Sequence, residues 1–413
     1  MSLTVEKLND DTTFLLAFAP SFAPIKKSKA RRFPGAFTIL IDPWLAGRSS
    51  ILHPSFQVSQ HTSACAIDSL AELDHRPDLI IISQDKPDHC HKETLCSLPR
   101  DTHTRILATP AAAKKIHSWN YFDSSIIQIM KPYHSAKPDT IIRISLPAYT
   151  STSAKGEITI ANIPTKRDVT SVHNAIGITY RPPGSLLTTV FEGEPIDLLD
   201  MMSPASKILP KKLHKSKSAI KVVEAFHPAM RPRAAAATIV RTNTPRPIYL
   251  DPLGKTLPSA ETEEQPHKTR PRASTAPTTT TTTKEPALSV LYTPHGLTLA
   301  TLRPYLTNHL IPTTFPLPLT ALFHSLNTEQ NPWFMGGKVS NGAPGGVLLA
   351  KLLKARYWVG AHDENKNLKG LATVWIKGRV YGVKEVEALL EGVGQGGTSV
   401  RRLGVGGGLR VEV

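Results

Sequence analysis

Ile80-Ile81-Ile82-Ser83-Gln84-Asp85-Lys86-Pro87-Asp88-His89-Cys90-His91 decides how the rest of the chain is read. Its apolar start has the pattern of a strand buried on both faces, and it stops abruptly in a loop with two aspartates and two histidines. Carboxylate and imidazole are the side chains that bind zinc or iron. A cluster of them at the end of a buried strand is where α/β proteins place their chemistry.

Outward from this stretch, residues 12–200 alternate short β-rich runs with turns. Strands are expected at Phe14–Phe18, Phe37–Ile41, Leu79–Ile82, Arg105–Ala108, Ser125–Met130, Thr140–Ser145, Glu157–Ile163, Ala175–Tyr180 and Leu186–Phe191. Helices are expected at His91–Ser97 and Pro110–Ser118, the latter with Thr109 as N-cap and proline at the first helical position. Residues 203–288 break the pattern, with 12 of the 35 prolines, two aromatic residues (Phe226, Tyr249) and six consecutive threonines from Thr278. A segment this poor in apolar surface cannot offset its ordering entropy and is expected to be a largely disordered insertion. Order should then resume with strands at Leu288–Tyr292, Leu319–His324 and Tyr357–Gly360, and helices at Gly296–Leu306 and Gly345–Ala355. Past Gly392 the tail is glycine-rich and expected to fray, apart from a last strand at Leu409–Val413.

The chain has 413 residues, enough for one large domain or two average ones. Its 49 Lys+Arg against 33 Asp+Glu give +16, but residues 203–288 alone hold 15 basic and 6 acidic side chains, a net +9. Elsewhere the balance is ordinary, so the basic excess reads as a solvated linker and argues against nucleic-acid binding. Cys65, Cys90 and Cys96 are an odd number without framework spacing, read as reduced thiols of an intracellular, cytoplasmic protein. A nuclear location is the alternative, because Lys26-Lys27-Ser28-Lys29-Ala30-Arg31-Arg32 suits a nuclear signal as well as an exposed hairpin loop. Neither a signal peptide nor a transmembrane segment is expected.

Five elements in order resemble the metallo-β-lactamase superfamily, in the branch that includes the ascorbate-phosphate lactonases. Leu40-Ile41-Asp42-Pro43 looks like its early strand end, and Gln84–His89 like its His-x-His-x-Asp-His metal loop. Val172-His173-Asn174, Phe191-Glu192-Gly193-Glu194 and Val359-Gly360-Ala361-His362 look like the three later ligand elements. The resemblance implies a four-layer α/β/β/α sandwich. Residues 1–202 and 289–391 would be its two halves, 203–288 a surface insertion and 392–413 a tail.

Carried over residue by residue, the resemblance gives metal ligands Asp88, His89, His173, Glu194 and His362. The loop departs from the family pattern because Gln84 and Lys86 stand where two histidines are expected. One metal site is then intact, formed by Asp88, His89 and His362 with Glu194 as bridge, and the other retains only His173. The Lys86 ammonium is expected to pair with Asp88 or Glu194 and supply the charge of the missing ion. His295, between a strand and a helix, would sit at the site mouth, and Lys86 or His295 would stabilise a developing oxyanion. The loop Asn331-Pro332-Trp333-Phe334-Met335-Gly336-Gly337 has the composition of a pocket wall or lid.

The implied function is a metal-dependent hydrolase in which one ion, zinc in the first place and iron or manganese otherwise, activates water against an ester, lactone or phosphodiester. Catalysis would involve Asp88, Lys86 and His295. The alternative is a non-catalytic relative of the same fold that has lost its first metal site and binds a ligand or partner; one metal, or none at all, is then expected.

Overall fold

Leu79–Ile82 forms a strand whose four side chains are all buried, and alternation sends them to two different places. Leu79 and Ile81 join an apolar cluster with Ile158, Ile178, Val290 and Phe323, while Ile80 and Ile82 join another with Ala112, Ala113 and Ile116. One face thus meets a second sheet and the other meets the helix Pro110–Ser118.

This computed structural model describes residues 1–21, 35–51, 53, 55–149, 151, 153–168, 170–184, 287–314 and 318–413. They belong to one compact unit of mixed α/β structure. Outside them lie the expected strand at Leu186–Phe191, Glu194, the basic loop around Lys26 and nearly all of the 203–288 segment. Among the described residues, no helix is long and apolar enough to cross a membrane.

Two seven-stranded sheets carry the architecture. In the first the strand order is Gly408–Glu412, Ser2–Lys7, Phe14–Ala19, Phe37–Ile41, Leu79–Ile82, Arg105–Ala108 and Ile127–Ile129. In the second it is Ser399–Arg401, Tyr357–Gly360, Ala321–His324, Leu288–Tyr292, Asn174–Arg181, Gly156–Pro164 and Ile141–Leu146. Each sheet is antiparallel on one side and parallel on the other. The change comes where Phe37–Ile41 meets Leu79–Ile82 in the first, and where Leu288–Tyr292 meets Ala321–His324 in the second. One apolar cluster draws on both sheets, and a further one lies between the second sheet and the helices Leu299–Tyr305, Gly342–Leu353 and Val383–Gly392.

Some expectations shift. The helix expected from Gly296 begins at Leu299, because Gly296 takes φ 81° and the Thr298 side chain caps the Thr301 amide. The helix expected from Gly345 begins at Gly342, since Pro344 is tolerated in a first turn, and ends on Lys354 in the left-handed region. Only Ile127–Ile129 of the expected Ser125–Met130 strand is extended. The tail does not simply fray, for Ser399–Arg401 and Gly408–Glu412 add edge strands to the two sheets. The strand Ser2–Lys7 was not expected from the sequence, although Leu3 and Val5 bury alternately beside polar neighbours.

Candidate metal centre

Candidate site side chains gather where strands of both sheets end. Asp42 follows Phe37–Ile41, the loop Ser83–His91 follows Leu79–Ile82, His295 follows Leu288–Tyr292, and His362 follows Tyr357–Gly360. These are the carboxyl ends of strands beside the points where both sheets change direction, the location that open α/β sheets favour for ligands.

Asp42 organises the interior. Its fully buried carboxylate accepts from Ser83 N at 2.7 Å on Oδ1, and on Oδ2 from Ser83 Oγ at 2.5 Å, His89 Nδ1 at 2.7 Å and Tyr292 OH at 2.8 Å. Oδ2 alone takes three of these four donors, one of them His89 Nδ1, so the carboxylate orients the ring of His89. With Nδ1–H given to Asp42, the Nε2 of His89 is the atom left to bind a metal.

That Nε2 lies 3.2 Å from Nε2 of His295. Two nitrogens at about 2.0–2.1 Å from a tetrahedral zinc stand roughly 3.3 Å apart, so the spacing suits a shared ion. The His362 ring centroid is 4.3 Å from that of His295 and 5.4 Å from that of His89, and ligand atoms of all three lie within 4.8 Å of one another. Burial, then the neighbouring His362 and His89, hold His295 well below the ordinary histidine pKa, so its ring is neutral. Its Nδ1 is buried and has no partner among the described residues. Burial also opposes charge on His89, but Asp88 and Asp42 overcome it and raise its pKa, so an ion competes with a proton there.

A second group adjoins the first through His362. Asp11 accepts the His362 backbone N–H at 3.2 Å, and its two carboxylate oxygens lie 3.0 and 3.2 Å from His362 Nδ1. Asp11, Asp88 and His362 also bring ligand atoms within 4.8 Å of one another. Lys366 joins them, with Nζ 2.7 Å from Asp11, 3.1 Å from Asp88 and 3.4 Å from His362 Nδ1. Burial opposes ionisation of both aspartates, yet Lys366 and His362 keep them well below the usual carboxylate range. Burial likewise disfavours the Lys366 ammonium, and Asp11 and Asp88 more than restore it. Asp42 and His362 have φ 45° and 63°, left-handed values that aspartate and histidine adopt more readily than most non-glycine residues.

Asp88, His89, His295 and His362 are therefore brought together. Among the described residues His173 belongs to neither group, and its Nδ1 faces Asp168 Oδ2 at 3.1 Å. Of the two partners expected for Lys86, Glu194 lies outside the described residues; among the described ones Lys86 pairs with Asp85 at 3.5 Å rather than with Asp88, in a tight coil where its carbonyl accepts both His89 N and Cys90 N. Gln84 is buried and donates Nε2 to Val172 O at 3.2 Å. His91 caps the helix Lys92–Leu95, and burial pushes the Cys90 thiol up to about 12.

Sequence reasoning missed Asp11 and Lys366. Asp11 lies in the turn between Ser2–Lys7 and Phe14–Ala19, held by Asn9 Oδ1 accepting from Asp11 N and Thr13 N at 3.0 and 2.9 Å. Reading the first strand would have placed this polar turn at the same sheet end as Asp42. Lys366, four residues beyond His362, left no comparable signal.

No protein-family model and no curated protein matches the chain. Among solved structures it is similar to Igni18, a metallo hydrolase from the archaeon Ignicoccus hospitalis KIN4/I, at 12% identity and TM-score 0.39 with both chains fully covered. It is also similar to isothiocyanate hydrolase from Delia radicum gut bacteria, at 10% identity and TM-score 0.44 over 99% of this chain and 98% of that one. A third is CmlA, a diiron β-hydroxylase from Streptomyces venezuelae, at 10% identity and TM-score 0.43 over 100% of this chain and 54% of the other.

Proposed function

We propose that the chain is a metal-dependent hydrolase on a metallo-β-lactamase-like, four-layer α/β/β/α sandwich, with one divalent ion held by His89, His295 and His362. The observation that carries this reading is the 3.2 Å approach of two imidazole Nε2 atoms, one ring fixed by Asp42 and the other neutral with no competing partner at Nδ1. Three nitrogen donors favour zinc, iron or a similar transition metal over magnesium or calcium. The three apolar clusters, one between the sheets and one on the outer face of each, support the layered arrangement.

Charge points the same way. Asp11, Asp42 and Asp88 bring three negative charges into a largely buried site and Lys366 returns one positive charge, so a divalent ion restores neutrality. Zinc bound to three imidazoles supplies a Lewis acid and lowers the pKa of its water towards neutrality, the chemistry needed to hydrolyse an ester, lactone or phosphodiester. Asp42 keeps His89 in the ligating tautomer, Asp11 orients His362, and Lys366 offers the positive charge that the sequence reading assigned to Lys86.

The non-catalytic alternative is favoured by the buried Gln84, which bonds to the backbone where the family pattern has a ligand. Metal analysis after zinc loading, followed by assay on ester, lactone and phosphodiester panels, separates the readings. About one tightly held ion per chain is expected, lost in His89→Ala and His295→Ala and retained in His173→Ala. A chain that takes up no ion refutes the metal centre, and one that binds zinc without turnover supports the alternative.

A further inference from the structure

We infer that Lys366 is a built-in cation that occupies the place of a second metal ion and limits the centre to one. Asp11, Asp88 and His362 have the donor types and spacing of a metal site of their own, and they share His362 with the three-histidine group. The Lys366 ammonium lies against all three of them, at 2.7, 3.1 and 3.4 Å. A fourth contact holds it there, with the Trp44 ring 5.3 Å away and the His61 ring tilted against that ring at 3.8 Å between centroids. A fixed monovalent charge therefore sits where a mobile divalent one would otherwise go.

The chemistry of the two positions differs accordingly. Zinc exchanges with solvent and competes with protons, whereas an ammonium on a packed side chain cannot leave. Asp11 and Asp88 stay paired whether or not the three-histidine site is loaded. Without Lys366, the Asp11 and Asp88 carboxylates would have only the neighbouring imidazoles to offset their charge, and a second divalent ion is the remedy their ligand atoms allow.

This inference rests on the proposed three-histidine site for its count of one, and the test keeps the two apart because His295 belongs only to the first group and Asp88 only to the second. Zinc content after equilibrium dialysis is measured for the full chain and for His295→Ala, Lys366→Ala, the double variant and Lys366→Ala with Asp88→Asn. Folding of each is verified by circular dichroism. About one ion is expected in the wild type and about two in Lys366→Ala, with about one remaining in the double variant and the gain abolished by Asp88→Asn.

An unchanged count in Lys366→Ala, or two ions in the wild type, would overturn the inference while leaving the three-histidine reading standing. No ion in the wild type but one in Lys366→Ala would sink that reading and keep the inference. Lys366→Met, of similar length and uncharged, guards against a folding failure. If both neutral variants fold only when zinc is supplied, the inference holds, and if zinc rescues neither, it falls.

Discussion

Asp42→Asn probes the centre at its most connected residue. Asparagine tolerates the left-handed conformation that Asp42 adopts at φ 45°, so the exchange alters the carboxylate and spares the backbone. Three donors converge on Oδ2 and one on Oδ1, but an amide has a single oxygen. If that oxygen takes the Oδ2 position, the NH2 group faces the Ser83 N–H; if it takes the Oδ1 position, it faces His89, Tyr292 and Ser83 Oγ. At least one buried donor loses its acceptor, at about 1–3 kcal/mol, and the remaining bonds go to a neutral partner instead of a charged one. The metal-free protein should lose about 2–4 kcal/mol by urea unfolding with an unchanged m-value. Zinc affinity, titrated against a chromophoric chelator, should fall about 10–100-fold because nothing then fixes the His89 tautomer. A folded variant with wild-type stability and wild-type zinc affinity would refute the role assigned to Asp42.

Two further outcomes are expected. Burial raises Asp363 to about 6 despite the backbone N–H groups of Leu326 and Asn327 that it accepts. The folded state therefore takes up a proton there, and this contribution is complete below the unfolded carboxylate pKa and lost as pH rises through about 6. The stability of wild type relative to Asp363→Asn should fall by up to about 3 kcal/mol over that window, and a pH-independent difference would contradict it. In the helix Gly342–Leu353, a Cβ on Gly346 would meet the Trp358 ring at 2.2 Å, with Trp358 fully buried. Gly346→Ala should destabilise by about 1–3 kcal/mol in chemical unfolding despite alanine's better helix propensity, and a stabilised variant would show that Trp358 can move.

The strands were legible where the side-chain pattern was strong. Leu79–Ile82 and Leu288–Tyr292 read directly as buried, and the loops after them carried His89 and His295 to positions that strand ends impose. What the pattern could not give was proximity across sheets. Asp11 and His362 are 351 residues apart in sequence, and only the docking of two sheets brings them to 3.0 Å. The same limit explains the exchange of one lysine for another. Lys86 is two residues from Asp88 but its turn directs it to Asp85, whereas Lys366, 278 residues away, makes the contact. Three-residue strands such as Thr328–Gln330 and Asn367–Lys369 are too short to show a period at all.

Both sheets are assembled from the two halves of the chain. Ser2–Lys7 pairs with Gly408–Glu412 in the first, and Asn174–Arg181 with Leu288–Tyr292 in the second. The proposed metal centre repeats this division, with Asp11, Asp42, Asp88 and His89 from one half and Tyr292, His295, His362 and Lys366 from the other. Neither half expressed by itself would own a complete ligand set or a closed sheet. Co-expressed as separate polypeptides, they would have to recognise each other through the same hydrogen bonds that build the site. An ion at its centre would then act as a clamp between the fragments, adding its binding free energy to their association.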